Sequence, residues 1–167
     1  MRWLTGQYHC GVPALSIDDE SITTSGALSV LHAADDELRR RYGDGDDQHL
    51  RVDELAEPLG LFLVARVNGD IAGGIGLRSI GDPALHLGEI KRLWVRPDLR
   101  RGGIAVSLMN EIETRARSLG YQRLYLETGP KQPEAVALYA SIGWDRVQEY
   151  PVGVFCHPMS HRFTRLL

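Results

Sequence analysis

A junction between an apolar stretch and an amphipathic one constrains the fold more than any other part of the sequence. Residues 87–112 read LGEIKRLWVRPDLRRGGIAVSLMNEI. The first nine residues are typical of a strand, and the apolar residues after Gly103 recur at helical spacing up to a stop at Gly120. Those apolar residues are Ile104, Leu108, Met109, Ile112, Ala116 and Leu119. A strand, a glycine-rich turn and a helix in this order predict an α/β fold with the turn at a helix N-terminus.

The glycine-rich turn has the composition of an anion-binding site. The first turn of a helix carries backbone N–H groups that lack intrahelical partners, and the helix dipole favours negative charge there. Gly102 and Gly103 leave that backbone open to a ligand, and Arg100 and Arg101 can donate charge-assisted hydrogen bonds. The natural occupant is a pyrophosphate. The turn has neither the GxxxxGK(S/T) pattern of a Walker loop nor the GxGxxG pattern of a dinucleotide site.

Sequence patterns on either side of the junction predict the remaining strands and helices of an α/β domain. Asn68 and Gly69, a pair typical of a type I′ turn, separate the apolar runs GLFLVARV and IAGGIGLRSI, which predicts a hairpin. One helix is expected over residues 26–42 and a shorter one over residues 133–142. Further strands are expected at YQRLYLET, WDRVQEY and HRFTRLL. This order of elements favours a mixed sheet.

Composition narrows the functional classes. The 167 residues, 43% hydrophobic and 25% charged, are typical of one soluble globular domain. A net charge of −3 argues against nucleic acid or an anionic membrane as a partner, and no apolar run reaches the roughly 20 residues that span a bilayer. The N-terminus does not read as a signal peptide, so a cytoplasmic protein is expected. Cys10 and Cys156 are expected to be free thiols, and the six histidines form no zinc motif, so no metal is expected.

Three segments together resemble a known family. The junction contains Arg100-x-x-Gly103-x-Ala105, and LYLETG and EAVALYASIGW follow it in order. Over about residues 61–144 the chain resembles the GNAT superfamily of N-acetyltransferases. The resemblance implies a single GNAT domain over residues 1–167, with a mixed, mostly antiparallel sheet of six to seven strands and about four helices. It also implies an acetyl-CoA-dependent transfer of an acetyl group to a primary amine.

The resemblance assigns cofactor contacts to three parts of the chain. The pyrophosphate of coenzyme A is expected at Arg100, Arg101, Gly102, Gly103, Ile104 and Ala105. The pantetheine arm is expected along the central strand at Leu93, Trp94 and Val95, where the Leu93 amide is placed to polarise the thioester carbonyl. Gln132 and Ala135, at the start of the last helix, complete the expected contacts. Gln132 stands where the family often has Asn, which leaves the pantetheine contact at that position open.

Two residues are the catalytic candidates. Tyr139 occupies the position of a tyrosine that often protonates the departing thiolate in this family, and a phenol with a pKa of about 10 is protonated at neutral pH. A packing tyrosine on the buried helix face is the alternative. Glu89 is the candidate general base, expected to act through water or to hold the cationic acceptor, and a solvated or salt-bridged glutamate beside Lys91 and Arg92 is the alternative. Glu127 is a weaker candidate for the same duty, and water alone is a third.

The acceptor and the activity leave alternatives open. The acceptor is expected to be a small-molecule or peptide amine, and the family is often dimeric. Five acidic residues could attract a cationic amine or simply form a solvated loop: Asp44, Asp46, Asp47, Asp53 and Glu54. A non-catalytic acyl-CoA sensor and a generic phosphate-binding domain are the competing functions.

Overall fold

A computed structural model describes residues 14–43 and 51–167 of the chain. Seven strands form one sheet: β1 Leu15–Asp19, β2 Leu61–Val67, β3 Asp70–Ile80, β4 Leu87–Val95, β5 Arg123–Thr128, β6 Asp145–Val147 and β7 His161–Leu166. Their order is β1-β2-β3-β4-β5-β7-β6, and every pair is antiparallel except β4 with β5. Three α-helices lie in the described residues: α1 Ser25–Tyr42, α2 Ile104–Ser118 and α3 Pro133–Ser141. The expected α/β class and the mostly antiparallel sheet are confirmed.

The β2–β3 hairpin forms where the sequence predicts it. Asn68 and Gly69 have φ values of 52° and 91°, the left-handed conformations that a type I′ turn requires. Strand β1, which the sequence analysis did not predict, pairs with β2 at the edge of the sheet. It is largely exposed, so its sequence lacks the alternation that marks a half-buried strand.

Helices cover both faces of the sheet. One core contains α2 side chains and the alternate β2 residues Leu61, Leu63 and Ala65. The other core contains α1 side chains with Phe62 and Val64. Strand β2 is therefore buried on both faces, which explains its unbroken apolar run. None of the helices in the described residues is both long and apolar enough to cross a membrane.

The glycines of β3 allow close packing against neighbouring strands and side chains. A Cβ at Gly73 would overlap the Trp94 carbonyl oxygen, and one at Gly76 would lie 2.9 Å from the Leu55 side chain. Beside them, the β3–β4 register shifts between Gly74 and Gly76, and Arg92 has a φ of 57°. An extra residue in β4 thus forms a bulge.

Strands β4 and β5 pair over only part of their length. Leu87–Glu89 pairs with Arg123–Tyr125 in parallel, after which the two strands continue to Val95 and Thr128 without pairing with each other. The sheet therefore opens into a wedge between two strands, with backbone N–H and C=O groups along its sides. The wedge ends at the turn that precedes α2.

Candidate active site

A cavity of about 1250 Å³ occupies the wedge between β4 and β5. Its walls come from α1, the second half of β4, the turn before α2, the end of β5, the start of α3 and the segment that precedes β7. Ten of the eleven predicted cofactor-contacting residues line it: Leu93, Trp94, Val95, Arg100, Arg101, Gly103, Ile104, Ala105, Gln132 and Ala135. Gly102 does not line the cavity. A Cβ on Gly102 would lie 3.2 Å from the Leu99 carbonyl oxygen, so the lack of a side chain here allows the turn to pack closely.

The turn before α2 presents an uncapped helix N-terminus to the cavity. Gly103 is the N-cap residue, with a φ of 85°, and no side chain caps the helix. The first backbone N–H groups of α2 consequently have no intrahelical partner. A Cβ on Gly103 would meet no atom within 4 Å, so the space in front of these N–H groups is open. This arrangement fits an anion.

The Arg100 side chain contacts the end of β4 and helix α1. Its Nε donates to the Val95 carbonyl oxygen at 2.9 Å, and its guanidinium forms an ion pair with Glu37 of α1. Glu37 also accepts from Trp94 Nε1 at 3.1 Å and from Arg41 at 2.6 Å. Burial acts to raise the pKa of Glu37, but hydrogen bonds from Arg100 and Arg41 outweigh it and lower the pKa. The sequence analysis missed Glu37 because 63 residues separate it from Arg100.

Tyr139 lies on α3 and lines the cavity although only 6% of it is exposed. Its ring packs against Phe163 at a centroid distance of 5.5 Å, which fixes the direction of the hydroxyl. Within residues 14–43 and 51–167 that hydroxyl has no hydrogen-bond partner, so it is available to a ligand. Burial raises the pKa of Tyr139, which keeps the hydroxyl protonated. Both the predicted acid and the alternative packing role agree with this placement.

Glu89 is fully buried and does not line the cavity. Its Oε2 accepts from Arg78 Nε at 2.8 Å, and its Oε1 accepts from the Tyr150 hydroxyl at 2.6 Å. Lys91 Nζ lies 3.0 Å from the same Oε1. The predicted base is therefore enclosed by an arginine, a lysine and a tyrosine, which corresponds to the ion-paired alternative.

Glu127, the weaker candidate base, does line the cavity. Its Oε1 accepts from Lys91 Nζ at 3.1 Å, and its Oε2 accepts from three donors in residues 156–160. Burial acts to raise its pKa, but the Lys91 charge and hydrogen bonds from Cys156 and Ser160 lower the pKa of Glu127 to about 2. Such a carboxylate stays ionised and is a weak base at neutral pH.

The remaining predicted residues have local roles or lie outside the described chain. Gln132 Oε1 accepts from Thr128 Oγ1 at 3.2 Å, so its side chain folds back on β5. Asp53 pairs with Arg51, and Glu54 pairs with Arg78. Asp44, Asp46, Asp47 and Cys10 lie outside the described residues, and Cys156 is a free thiol. In the described part of the chain no cluster of three histidine, cysteine or acidic side chains could hold a metal.

Solved acetyltransferases share this fold. A GNAT family acetyltransferase from Elizabethkingia anophelis with acetyl-CoA bound superposes with a TM-score of 0.65 at 20% identity, over 92% of this chain and 98% of that one. The PaiA N-acetyltransferase from Thermoplasma acidophilum, in complex with coenzyme A, superposes with a TM-score of 0.68 at 17% identity, over 92% and 99% of the two chains. The chain thus has the same fold as these two acetyltransferases.

Sequence similarity identifies the family. The acetyltransferase (GNAT) family profile matches residues 28–144. The IAA acetyltransferase of Azospirillum brasilense is 35% identical over 143 residues, which cover 85% of this chain and 92% of that protein. The chain therefore belongs to the GNAT family of acetyltransferases, as its motifs predict.

Proposed function

We propose that this protein transfers an acetyl group from acetyl-CoA to a primary amine by direct attack within a single GNAT domain. The observation that supports it is the wedge between β4 and β5, which opens onto the uncapped N-terminus of α2 inside one cavity. The continuous seven-stranded sheet supports a single domain in the described residues. The acceptor is a small-molecule or peptide amine.

The residues around the wedge fit acetyl-CoA. The unpaired N–H groups of Ile104 and Ala105, together with Arg100 and Arg101, would hold the pyrophosphate. The free backbone edge of β4 at Leu93 and Val95 would hold the pantetheine arm, and the Leu93 N–H would donate to the thioester carbonyl. When bound, acetyl-CoA supplies an acetyl group activated as a thioester.

Tyr139 is proposed as the general acid. The amine nitrogen forms a bond to the carbonyl carbon, the carbon–sulfur bond breaks, and the phenol proton passes to the departing sulfur. The Tyr139 hydroxyl lacks another hydrogen-bond partner in the described residues, and its raised pKa keeps the proton in place. Solvent then restores the proton to the tyrosine.

The proton from the amine is proposed to leave through water. Glu89 is enclosed by Arg78, Lys91 and Tyr150 and does not line the cavity. The pKa of Glu127 is about 2, which makes it a weak base. A side-chain base would therefore need a rearrangement of these ion pairs, whereas water in an open cavity needs none.

Calorimetric titration of the purified protein with acetyl-CoA, dephospho-CoA and ATP tests the cofactor site. We expect micromolar binding of acetyl-CoA, no binding of ATP, and loss of binding in Gly103→Glu, because a carboxylate would stand at the helix N-terminus. Gly120→Glu is the matched control: its φ is 88° and its Cβ also meets open space, but it follows the other end of α2. Absence of acetyl-CoA binding by the wild-type protein would overturn the proposal.

Turnover separates the enzyme from the non-catalytic sensor. Release of coenzyme A thiol is followed with a panel of amines at saturating acetyl-CoA. Amine-dependent release that falls in Tyr139→Phe supports the acetyltransferase. Acetyl-CoA binding without release for any amine in the panel supports the sensor.

A further inference from the structure

The segment between β6 and β7 forms one wall of the cavity. We call residues 150–160 the wall segment; Phe155, His157, Met159 and Ser160 within it line the cavity. It contains no helix or strand and makes no ladder with the sheet. Side-chain contacts must therefore hold it in place.

Glu89 holds the start of the wall segment. The Tyr150 hydroxyl donates to Glu89 Oε1 at 2.6 Å, and the Tyr150 ring packs edge-on against Tyr125 at a centroid distance of 5.4 Å. Burial and the neighbouring Glu89 charge raise the pKa of Tyr150, so its hydroxyl stays protonated as a donor. A fully buried carboxylate that neither lines the cavity nor contacts solvent thus has a defined partner in the wall segment.

Glu127 holds the end of the wall segment. Its Oε2 accepts from Cys156 Sγ at 3.0 Å, from the His157 backbone N–H at 3.0 Å and from Ser160 Oγ at 2.7 Å. One carboxylate oxygen therefore gathers three donors from five consecutive residues. Hydrogen bonds to an ionised acceptor are about twice as strong as neutral ones.

Lys91 joins the two carboxylates. Its Nζ lies 3.0 Å from Glu89 Oε1 and 3.1 Å from Glu127 Oε1. Since Lys91 and Glu89 are in β4 and Glu127 is in β5, the lysine also bridges the two strands next to the point where they separate. Glu89 Oε1 accepts from both Lys91 and Tyr150, whereas Glu127 accepts from Lys91 with Oε1 and from the wall segment with Oε2.

We infer that Glu89 and Glu127, bridged by Lys91, are positioning residues that clamp the wall segment as the acceptor-side wall of the cavity. That this wall faces the acceptor rests on the proposed function, but the contacts that form the clamp exist without substrate. It also accounts for the two glutamates that sequence reasoning selects as bases: they are required near the site as acceptors for the wall segment.

Hydrogen–deuterium exchange of the protein without ligand tests the clamp. Glu127→Gln and Tyr150→Phe should each raise the exchange rate of amides in residues 154–160 by about tenfold or more, because local opening loses its restraints. The matched controls are Glu134→Gln, which removes a cavity carboxylate with no contact to the wall segment, and Tyr125→Phe, which removes a neighbouring hydroxyl. Unchanged exchange in both test variants would overturn the inference, whether or not the protein is an enzyme.

Steady-state kinetics with 2-phenylethylamine distinguish positioning from base catalysis. A positioning role predicts that Glu127→Gln raises KM for the amine about tenfold while kcat and the acetyl-CoA dissociation constant stay within about twofold. If kcat instead falls by about two orders of magnitude at unchanged KM, and the acidic limb of the pH profile is lost, the glutamate takes part in proton transfer.

The charged and apolar side chains of the cavity lining bear on which amine the protein accepts. Four carboxylates line the cavity in the described residues, and each already has an ion-pair partner: Glu37, Asp98, Glu127 and Glu134. Phe155 and Met159 also line the cavity, and they are 50% and 67% exposed. Leu38 and Tyr42 of α1 add further apolar surface.

The geometry points to an acceptor amine whose non-reacting part is apolar. A polyamine or an aminoglycoside needs carboxylates for its additional charges, and those of the cavity are engaged. An alkyl or aryl group instead gains free energy by covering exposed apolar surface, about 25 cal/mol for each Å² removed from water. Like the clamp, this inference builds on the proposed function.

A comparison of 2-phenylethylamine and n-hexylamine with spermidine tests the acceptor class. We expect kcat/KM for the two apolar amines to exceed that for spermidine at least tenfold. Phe155→Ala should reduce it for the apolar amines alone, and Val152→Ala, 99% exposed and outside the cavity lining, is the matched control. Preference for spermidine, or acetyl-CoA binding without acetylation of either apolar amine, would overturn the inference and leave the cofactor site intact.

Discussion

The Arg100 guanidinium forms an ion pair with the Glu37 carboxylate, which ties the turn before α2 to helix α1. Arg100 is a predicted ligand of the cofactor pyrophosphate, so the protein already provides it with an internal anion. Glu37 also accepts from Trp94 Nε1, on the strand along which the pantetheine is expected. The proposed cofactor site and helix α1 are consequently linked through one carboxylate.

Glu37→Gln should tighten acetyl-CoA binding. The substitution removes a negative charge that competes with the pyrophosphate for Arg100, and we expect about a fivefold lower dissociation constant, or ~1 kcal/mol. Calorimetric titration measures it, with Glu111→Gln as a control because Glu111 pairs with Arg115 on α2 and does not line the cavity. Weaker binding would show that Glu37 orients Arg100 for the phosphates.

Tyr139→Phe should lower kcat by about two orders of magnitude, the usual contribution of a general acid, and leave acetyl-CoA affinity unchanged. Steady-state thiol release at saturating acetyl-CoA measures it. Tyr125→Phe, on β5 and outside the cavity lining, should have no such effect. An equal loss in the two variants would contradict the assignment.

The value of kcat/KM should rise with pH as the fraction of neutral amine increases, and it should not fall again below about pH 10. The sign follows from Tyr139, which must be protonated to act as the acid: burial raises its pKa, so the protonated form persists to higher pH. This is tested by measuring the rate as a function of pH at a constant amine concentration and saturating acetyl-CoA. A decline between about pH 7 and pH 9 would place a different acid in the mechanism.

Glu89→Ala should destabilise the fold by about 3 kcal/mol or more, since it leaves Arg78 and Lys91 buried without their shared carboxylate. The free energy of unfolding in urea measures it, and Glu111→Ala should cost less than about 1 kcal/mol as a surface ion pair. A loss of activity in Glu89 variants is therefore evidence of a base only in protein shown to be folded. A cost for Glu89→Ala no greater than that of the control would show the buried ion pairs to be dispensable.

Glu127 should make stability depend on pH at acidic values. Its folded-state pKa of about 2 lies below the ordinary value of 4.5, so its stabilising effect is fully present above about pH 4.5 and is lost as pH falls through 2. The free energy of unfolding should differ between wild type and Glu127→Gln by up to about 3 kcal/mol at neutral pH, and the difference should shrink at about pH 2.5. A difference that stays constant over this range would contradict an ionised Glu127.

Much of the fold follows from local sequence. The Asn68-Gly69 turn, the helix that begins at Ile104 and the strand Leu87–Val95 depend on turn chemistry and periodicity within a few residues, and all three form as predicted. The edge strand Leu15–Asp19 escaped prediction because exposure on both faces removes the alternating pattern. The cavity lining around residues 100–105 was predictable for the same local reason, whereas the binding role of those residues stays a prediction.

The sequence by itself determined the order of the helices and strands that follow β1, the uncapped N-terminus of α2 and the family, since each depends on residues that are neighbours in the chain. Only the tertiary structure decided which charged side chains meet. Glu37 reaches Arg100 across 63 residues, and Glu127 reaches Cys156 across 29. Ion pairs and hydrogen bonds act over a few ångströms, so the partner of a carboxylate is set by how strands and helices pack, which spacing along the chain does not encode.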